Sequence, residues 1–247
     1  MNPLFLTLIS AFFGAVTAQL LSHFLTVKRD NKKTFLEKYQ TLYSKVLPSL
    51  SVYMNIQRNP RALHDLYHDV SPEKLFNESL NFFQENLKYS NSKILHVYEK
   101  LIGNEYYEDG WGSKKEFYQS ALIYFFLLNW LKESKKTSIY KKGDRVRLKN
   151  LSFYYGLNSI CMLILDPEEV TSVLRMEEWL GPKYYRNNIA SRIRRYKINR
   201  RITKVILSER IDIARKLVKL YLKPAVEDPG YFDLLEKLNG YKQHPHP

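Results

Sequence analysis

Two arginines and two histidines lie close together in the chain, and their spacing could support acid–base chemistry. Five residues separate Arg58 from His64, and six separate Arg61 from His68. A histidine side chain titrates near neutral pH and can take up or release a proton. A guanidinium group stays charged and can stabilise negative charge on a phosphate oxygen. These four residues are therefore candidates for a catalytic site.

The interval between arginine and histidine resembles the Arg-x(4–6)-His element of the HEPN-type ribonucleases, which are all-helical proteins. The resemblance implies RNA cleavage, with the arginine as electrostatic stabiliser and the histidine as acid or base. It covers about a dozen residues of the 247, and Pro60 lies where that family has a continuous helix. The alternative is a charged loop that leads into an exposed helix, and we favour this alternative.

The same segment contains part of a metal-binding pattern. His64 and His68 are four residues apart, with Asp65 and Asp69 beside them, so two imidazoles could lie on one face of a helix. A zinc site needs three or four protein ligands, however, and His96 is the one further histidine between this segment and the C-terminal tail. We therefore predict no metal site and no cofactor.

A strongly basic segment, residues 183–223, carries most of the formal net charge of +14. It has 14 Lys and Arg against two acidic residues, with Ile189, Ile193 and Val205 among them. We predict a helix that buries its apolar face and presents its basic face to an anionic surface. Membrane lipid, nucleic acid, an acidic protein or the fold's own acids could supply that surface. The candidate anion-binding residues are Arg192, Arg194, Arg195, Lys197, Arg200, Arg201 and Lys204.

The elements that must position these residues are predicted to be helices. Ser71-Pro72-Glu73 is a helix N-cap followed by proline in the first turn, and Ser92 is a second candidate cap. Ser113 with Glu116 forms a capping box. The cap signals and the apolar periodicity together predict an all-α fold.

Three other segments could depart from an all-α fold with a single membrane span. The apolar runs 117–131 and 151–165 are too short to span a bilayer, so we expect them to be core helices. Alternation of polar and apolar residues is nearly absent, and only residues 144–148 could form a short strand.

One segment is long enough to cross a membrane. Residues 4–27 form a run of 24 residues without a charged side chain. As a helix this run measures about 36 Å, against about 30 Å for the hydrocarbon core of a bilayer. The alternatives are a signal peptide cleaved after Ala18 and a helix buried in the fold. We predict a single transmembrane helix.

The charges that flank this run predict its orientation. Lys28, Arg29, Lys32 and Lys33 follow it directly, and no basic side chain precedes it in the sequence. Because loops rich in Lys and Arg stay in the cytoplasm, we expect a single-pass protein of the cell membrane with its N-terminus outside and its domain in the cytoplasm.

Small residues recur along the apolar run. Ser10, Gly14, Ala18 and Ser22 are spaced four apart, which places them on one side of a helix. Helices in lipid approach each other through such small residues. We call these four residues the small-residue stripe and predict that it supports a homo-oligomer.

The run without Gly or Pro between Gly14 and Pro48 predicts that the transmembrane helix continues as a stalk, which Pro48 should kink or end. We divide the chain into a transmembrane anchor (1–27), a juxtamembrane stalk helix (28–58) and a cytoplasmic helical domain (59–247).

The sequence carries no phosphate-binding glycine loop, nucleotide fingerprint or nucleophile elbow. We therefore interpret the chain as a non-enzymatic, membrane-anchored interaction protein that contacts lipid or an acidic partner. Small anchored helical proteins of this build occur among bacterial stress and phage-defence systems, which is an analogy of architecture. The alternative is a membrane-tethered RNA-binding protein or HEPN-like ribonuclease.

Overall fold

The fold is all-helical. The computed structural model describes residues 3–58, 70–104, 106, 114–137, 139–162, 164–165, 169–170, 193 and 215–219, apart from the side chains of Leu4, Leu6, Arg58 and Lys114. These residues include no strand, so the predicted all-α class is confirmed. The helices are α1 (Pro3–Lys38), α2 (Ser44–Arg58), α3 (Pro72–Glu85), α4 (Ser92–Asn104), α5 (Lys114–Ser134) and α6 (Lys142–Cys161).

Helices α1 and α2 form one continuous rod. A single wide turn of the π type, Tyr39–Tyr43, joins them, and the Ser44 backbone N–H donates to the Tyr39 carbonyl five residues back. Pro48 was expected to kink or end the helix, and it does not end it, because α2 continues through it to Arg58. The ring of a proline presses on the carbonyl four residues earlier, here that of Ser44, where the wide turn ends.

The strand considered for residues 144–148 was also wrong, because this segment lies in the first turns of α6. The Asp144 carboxylate accepts a hydrogen bond from the Lys141 backbone N–H at 3.0 Å, which caps the start of the helix. The Arg145 guanidinium donates to the Thr137 carbonyl at 2.9 Å, after the end of α5. The polar residues of this alternating segment thus form hydrogen bonds at two helix ends, the start of α6 and the end of α5.

The caps of α3 and α4 differ in how well the sequence predicts them. The Ser71 hydroxyl accepts from the Lys74 backbone N–H at 3.1 Å, with Pro72 in the first turn, so that cap is confirmed. At α4 the Asn91 side chain accepts from two backbone N–H groups, and Ser92 is the first helical residue rather than the cap. Asparagine is as good a cap as serine. Ser113 lies outside the described residues.

Helix α5 is the centre of the core. It packs against α4 and along the length of α6, and its run 117–131 is largely buried, as is 152–161 of α6. The prediction that these two runs are core helices is confirmed for 117–131 and for the second run as far as Cys161, where α6 ends. Met162, Ile164 and Leu165, the described residues of that run beyond Cys161, are not helical. Phe35, Leu42, Tyr43 and Val46, in the segment predicted to be a stalk, are also buried in this core. The boundary at residue 59 stays a prediction.

Gly156 allows α5 and α6 to approach closely. A methyl group at this position would lie 2.8 Å from Cε2 of Tyr124 and 2.9 Å from Cγ2 of Ile193. Both neighbours are buried, and such separations are well inside van der Waals contact. Only glycine fits here without movement of its neighbours.

Candidate membrane anchor and its junction with the domain

The first two-thirds of α1 stand clear of the rest of the described structure. Leu8, Phe12 and Leu20 each keep about two-thirds of their surface exposed (69%, 66% and 65%). Mean hydropathy reaches 1.6 over an 18-residue window, and none of that window is buried. Among the described residues this is the one helix long and apolar enough to cross a membrane. The alternative that this segment is buried in the fold was wrong.

The small-residue stripe lies on the surface of this helix. Ser10, Gly14, Ala18 and Ser22 are all exposed, and a methyl group at Gly14 would meet nothing within 4 Å. The Ser10 hydroxyl donates to the Thr7 carbonyl at 2.9 Å. This local bond satisfies the hydroxyl donor without water, as a helix in lipid requires.

Below the apolar part, the helix becomes basic and then enters the core. Lys28, Arg29, Lys32 and Lys33 are exposed. Arg29 lies 3.8 Å from Asp30, an exposed ion pair that contributes little stability. Phe35, two residues after Lys33, is 1% exposed. The change from solvent-exposed to fully buried surface thus takes place within one turn.

Aromatic rings fasten α1 to the domain at this point. The ring of Phe35 packs edge-on against Tyr140 with centroids 5.9 Å apart, and Tyr140 also packs edge-on against Trp130 at 5.8 Å. Tyr43 stacks on Trp130 with centroids 4.9 Å apart and planes 8° from parallel. Pairs of this geometry stabilise beyond the area that they bury. We call Phe35, Tyr39, Tyr43, Trp130 and Tyr140 the aromatic junction.

Polar contacts surround the aromatic junction. Asn129 donates to the Tyr43 hydroxyl at 3.3 Å and accepts from Asn91 at 2.9 Å, which links the wide turn, α5 and the start of α4. Lys38 lies 3.8 Å from Glu133 in a partly buried ion pair. The Tyr89 hydroxyl donates to Glu37 at 2.9 Å. The end of α1 is therefore held on two sides.

Burial changes the ionisation of two phenols at the aromatic junction and of one thiol at the far end of α6. Burial raises the pKa of Tyr43 well above its usual range, and the nearby Glu133 carboxylate raises it further. Burial, followed by Tyr39, raises the pKa of Tyr140 to about 12. Burial also raises the pKa of the Cys161 thiol, which is fully enclosed and therefore a poor nucleophile. The three shifts move these ionisations further from pH 7.

The described residues hold no group of three or more side chains that could bind a metal. Of the candidate catalytic residues, Arg58 ends α2 with its backbone described and its side chain not, and Arg61, His64 and His68 lie outside the described residues. The HEPN-type site therefore stays a prediction.

The seven candidate anion-binding residues, Arg192, Arg194, Arg195, Lys197, Arg200, Arg201 and Lys204, also lie outside the described residues. Within the basic segment, residues 215–219 and Ile193 are described. Residues 215–219 are helical, and Leu217 and Val218 among them are buried. Ile193 is helical, 1% exposed and in contact with the position that a methyl on Gly156 would take. At this residue the expected burial of the segment's apolar side is confirmed. The basic face itself stays a prediction.

Sequence reasoning missed the aromatic junction. The chain has 19 Tyr and 13 Phe, so single aromatics do not stand out, and Tyr140 lies in a turn about 100 residues beyond Phe35. The signal that could have found it is the apolar spacing of Phe35, Tyr39 and Tyr43, which continues the helical period past the basic flank.

No protein-family model, curated protein or solved structure matches this chain. The resemblance to HEPN-type ribonucleases therefore depends on residue spacing alone.

Proposed function

We propose that this chain is a membrane-anchored helical interaction protein. Residues 4–27 cross the cell membrane once, the N-terminus faces outward, and the helical domain lies in the cytoplasm. The domain self-associates through the small-residue stripe and presents its basic segment, residues 183–223, to anionic lipid or to an acidic partner. The observation that carries the proposal is a fully exposed apolar helix that runs without a break into a buried core.

This continuity favours a retained anchor over a cleaved signal peptide. Cleavage after Ala18 would leave the exposed apolar residues Leu20, Leu21, Phe24 and Leu25 on a soluble protein. Exposed apolar patches of this kind cause aggregation in water. In a bilayer the same side chains contact lipid, and the orientation follows from the exposed basic residues between the apolar part and Phe35.

The test combines extraction, mass and topology. We expect the full chain to stay in the membrane pellet after alkaline carbonate extraction, with an intact mass that includes residues 1–18. An enzyme reporter that works only outside the membrane should stay inactive when fused at Pro247. Release into the supernatant, loss of the first 18 residues or strong reporter activity would each contradict the proposal.

The matched control is a chain that begins at residue 28. Every side chain that the structure describes in the deleted part is exposed, and burial begins at Phe35. We expect the shortened protein to be soluble and to keep the helical circular dichroism of the full chain. Aggregation of this chain in every buffer would indicate further membrane contact by the domain.

A further inference from the structure

The loop between α5 and α6 is rich in exposed lysines. Lys135, Lys136, Lys141 and Lys142 are all exposed, and Ile139, at the middle of the loop, keeps 38% of its surface exposed. Between residues 132 and 149 the chain has eight Lys and Arg against two acidic residues. We call residues 135–142 the α5–α6 loop.

The order of contacts shows which way this loop faces. Three contacts follow one another along the α1–α2 rod, starting from the end nearest the apolar part. Phe35 contacts Tyr140, then Lys38 pairs with Glu133, and then Tyr43 stacks on Trp130. The partner numbers fall as the rod numbers rise, so α5 runs antiparallel to the rod. Helix α6 runs back in the other direction, because the Tyr154 hydroxyl donates to the Gln57 carbonyl at 3.3 Å. The α5–α6 loop is therefore the tip of a helical hairpin that points toward the apolar part of α1.

The distance from this tip to the bilayer is short. Phe35 lies eight residues of continuous helix beyond Val27, the last residue of the apolar run, which gives about 12 Å along the axis. The headgroup layer fills about 5 to 8 Å of this interval. Since attraction between charges is felt over about 8 to 10 Å at physiological salt, the lysines beside Tyr140 lie within reach of lipid phosphates.

The loop is also held in place. Tyr140 packs against Phe35, Tyr39 and Trp130, and Arg145 donates to the carbonyl of Thr137, which is itself buried. Of the two acids that flank the loop, Glu133 is paired with Lys38 and with Lys136 at 3.1 Å, and Asp144 accepts from the Lys141 backbone N–H. The remaining three lysines, Lys135, Lys141 and Lys142, thus lie beside residues that are held against α1 and α5.

We propose that the α5–α6 loop is a second membrane contact, in which Lys135, Lys141 and Lys142 bind the phosphates of anionic lipids and Ile139 enters the headgroup layer. This inference rests on the proposed insertion of α1. Two contacts, one by the helix and one by the loop, fix the domain in a single rotational setting on the membrane surface instead of leaving it free to turn about α1.

The experiment places a fluorescent label at the loop of the full chain. An Ile139→Cys variant is labelled through its thiol, because the native Cys161 is fully buried and does not react. The protein is reconstituted into vesicles of phosphatidylcholine, with or without phosphatidylglycerol, that contain a lipid with a quencher on its headgroup. The control label is at Asn150→Cys, which is exposed on α6 and about 12 Å further from the membrane.

We expect quenching at position 139 to be at least twofold greater with phosphatidylglycerol than without it, and quenching at position 150 to be low in both. Each lysine near an anionic surface changes the ratio of contact to separation about fivefold. The triple variant Lys135→Gln, Lys141→Gln, Lys142→Gln should therefore lose the difference. The charge-matched triple variant Lys45→Gln, Lys93→Gln, Lys100→Gln removes exposed lysines elsewhere and should keep it.

Equal quenching at position 139 in both kinds of vesicle, or equal loss in both triple variants, would overturn the proposal. A larger response to RNA added to neutral vesicles than to phosphatidylglycerol would also overturn it, because the loop would then bind nucleic acid. Carbonate extraction of the same vesicles separates this result from failure of the anchor. A chain that stays in the pellet without a response at position 139 contradicts the loop contact alone, whereas a chain that is extracted contradicts the proposed function.

Discussion

At the scale of single residues, Gly156 sets how closely α5 and α6 can pack. We predict that Gly156→Ala lowers the free energy of unfolding by about 1 to 3 kcal/mol, the usual cost of added bulk in a packed core. The reason is the 2.8 Å separation from the Tyr124 ring that the new methyl would impose. Thermal unfolding of the full chain in mild detergent, followed by circular dichroism, measures the change.

The control is Gly143→Ala in the same helix. Nothing lies within 4 Å of the position of its new methyl, and alanine is a better helix former than glycine, so stability should rise by about 0.4 to 1 kcal/mol. If both variants shift the midpoint in the same direction, the close contact at Gly156 does not limit the packing.

Asn129 illustrates what single residues do not reveal in the sequence. It interrupts an apolar run, which is visible in the sequence, but its two partners are Tyr43 in the wide turn and Asn91 before α4. A buried amide needs partners from other elements to offset its desolvation. Which elements supply them depends on the three-dimensional packing, so the role of Asn129 could not be predicted.

At the scale of elements, the start of a helix can be predicted from the sequence when residues within its first turn determine it. The start of α3 follows from Ser71 and Pro72, because both act within one turn of the chain. The start of α6 was missed by nine residues, since its first turns are polar and are completed by Asp144 and by contacts of Arg145 with the end of α5. The wide turn before Pro48 was missed because it has no sequence signature.

The small-residue stripe on α1 yields a prediction for the same scale. Gly14→Leu together with Ala18→Leu should lower in-membrane crosslinking of the full chain several-fold, because the added bulk separates helix backbones while leaving the segment more apolar. Insertion, measured by carbonate extraction, should be unchanged.

Val16→Leu is the control for the stripe, because it adds bulk about 200° around the helix from Gly14. Its crosslinking should match that of the original chain. Unchanged crosslinking in the Gly14 and Ala18 double variant would mean that oligomers form elsewhere.

At the scale of the whole molecule, buried phenols and a buried thiol make stability depend on alkaline pH. Burial, with a smaller effect of Glu116, raises the pKa of Tyr53 from 10.0 to about 12, and burial raises the pKa of Cys161 above its ordinary 9.0. The unfolded chain loses these protons first. Stability is therefore fully present below about pH 9 and falls as the pH rises from there toward 12.

The unfolding midpoint in denaturant, measured from pH 7 to 11, checks this expectation. Tyr53→Phe should make the decline shallower, because one phenol with a raised pKa is removed. Cys161→Ala should move its onset upward, from near pH 9 toward pH 10. A midpoint that stays constant from pH 8 to 11 would show that these groups ionise equally well in the folded chain.

The unbroken rod formed by α1, the wide turn and α2 also has a mechanical consequence. From the middle of the apolar run, near Ala15, to Arg58 there are 43 residues, or about 65 Å of helix taken as a straight shaft. Transmembrane helices tilt by about 20° on average and adjust to bilayer thickness. A change in tilt of about 10° would swing the far end of the shaft by roughly 11 Å. If α1 spans the bilayer as proposed, a change in bilayer thickness would therefore move the far end of this helix without any ligand.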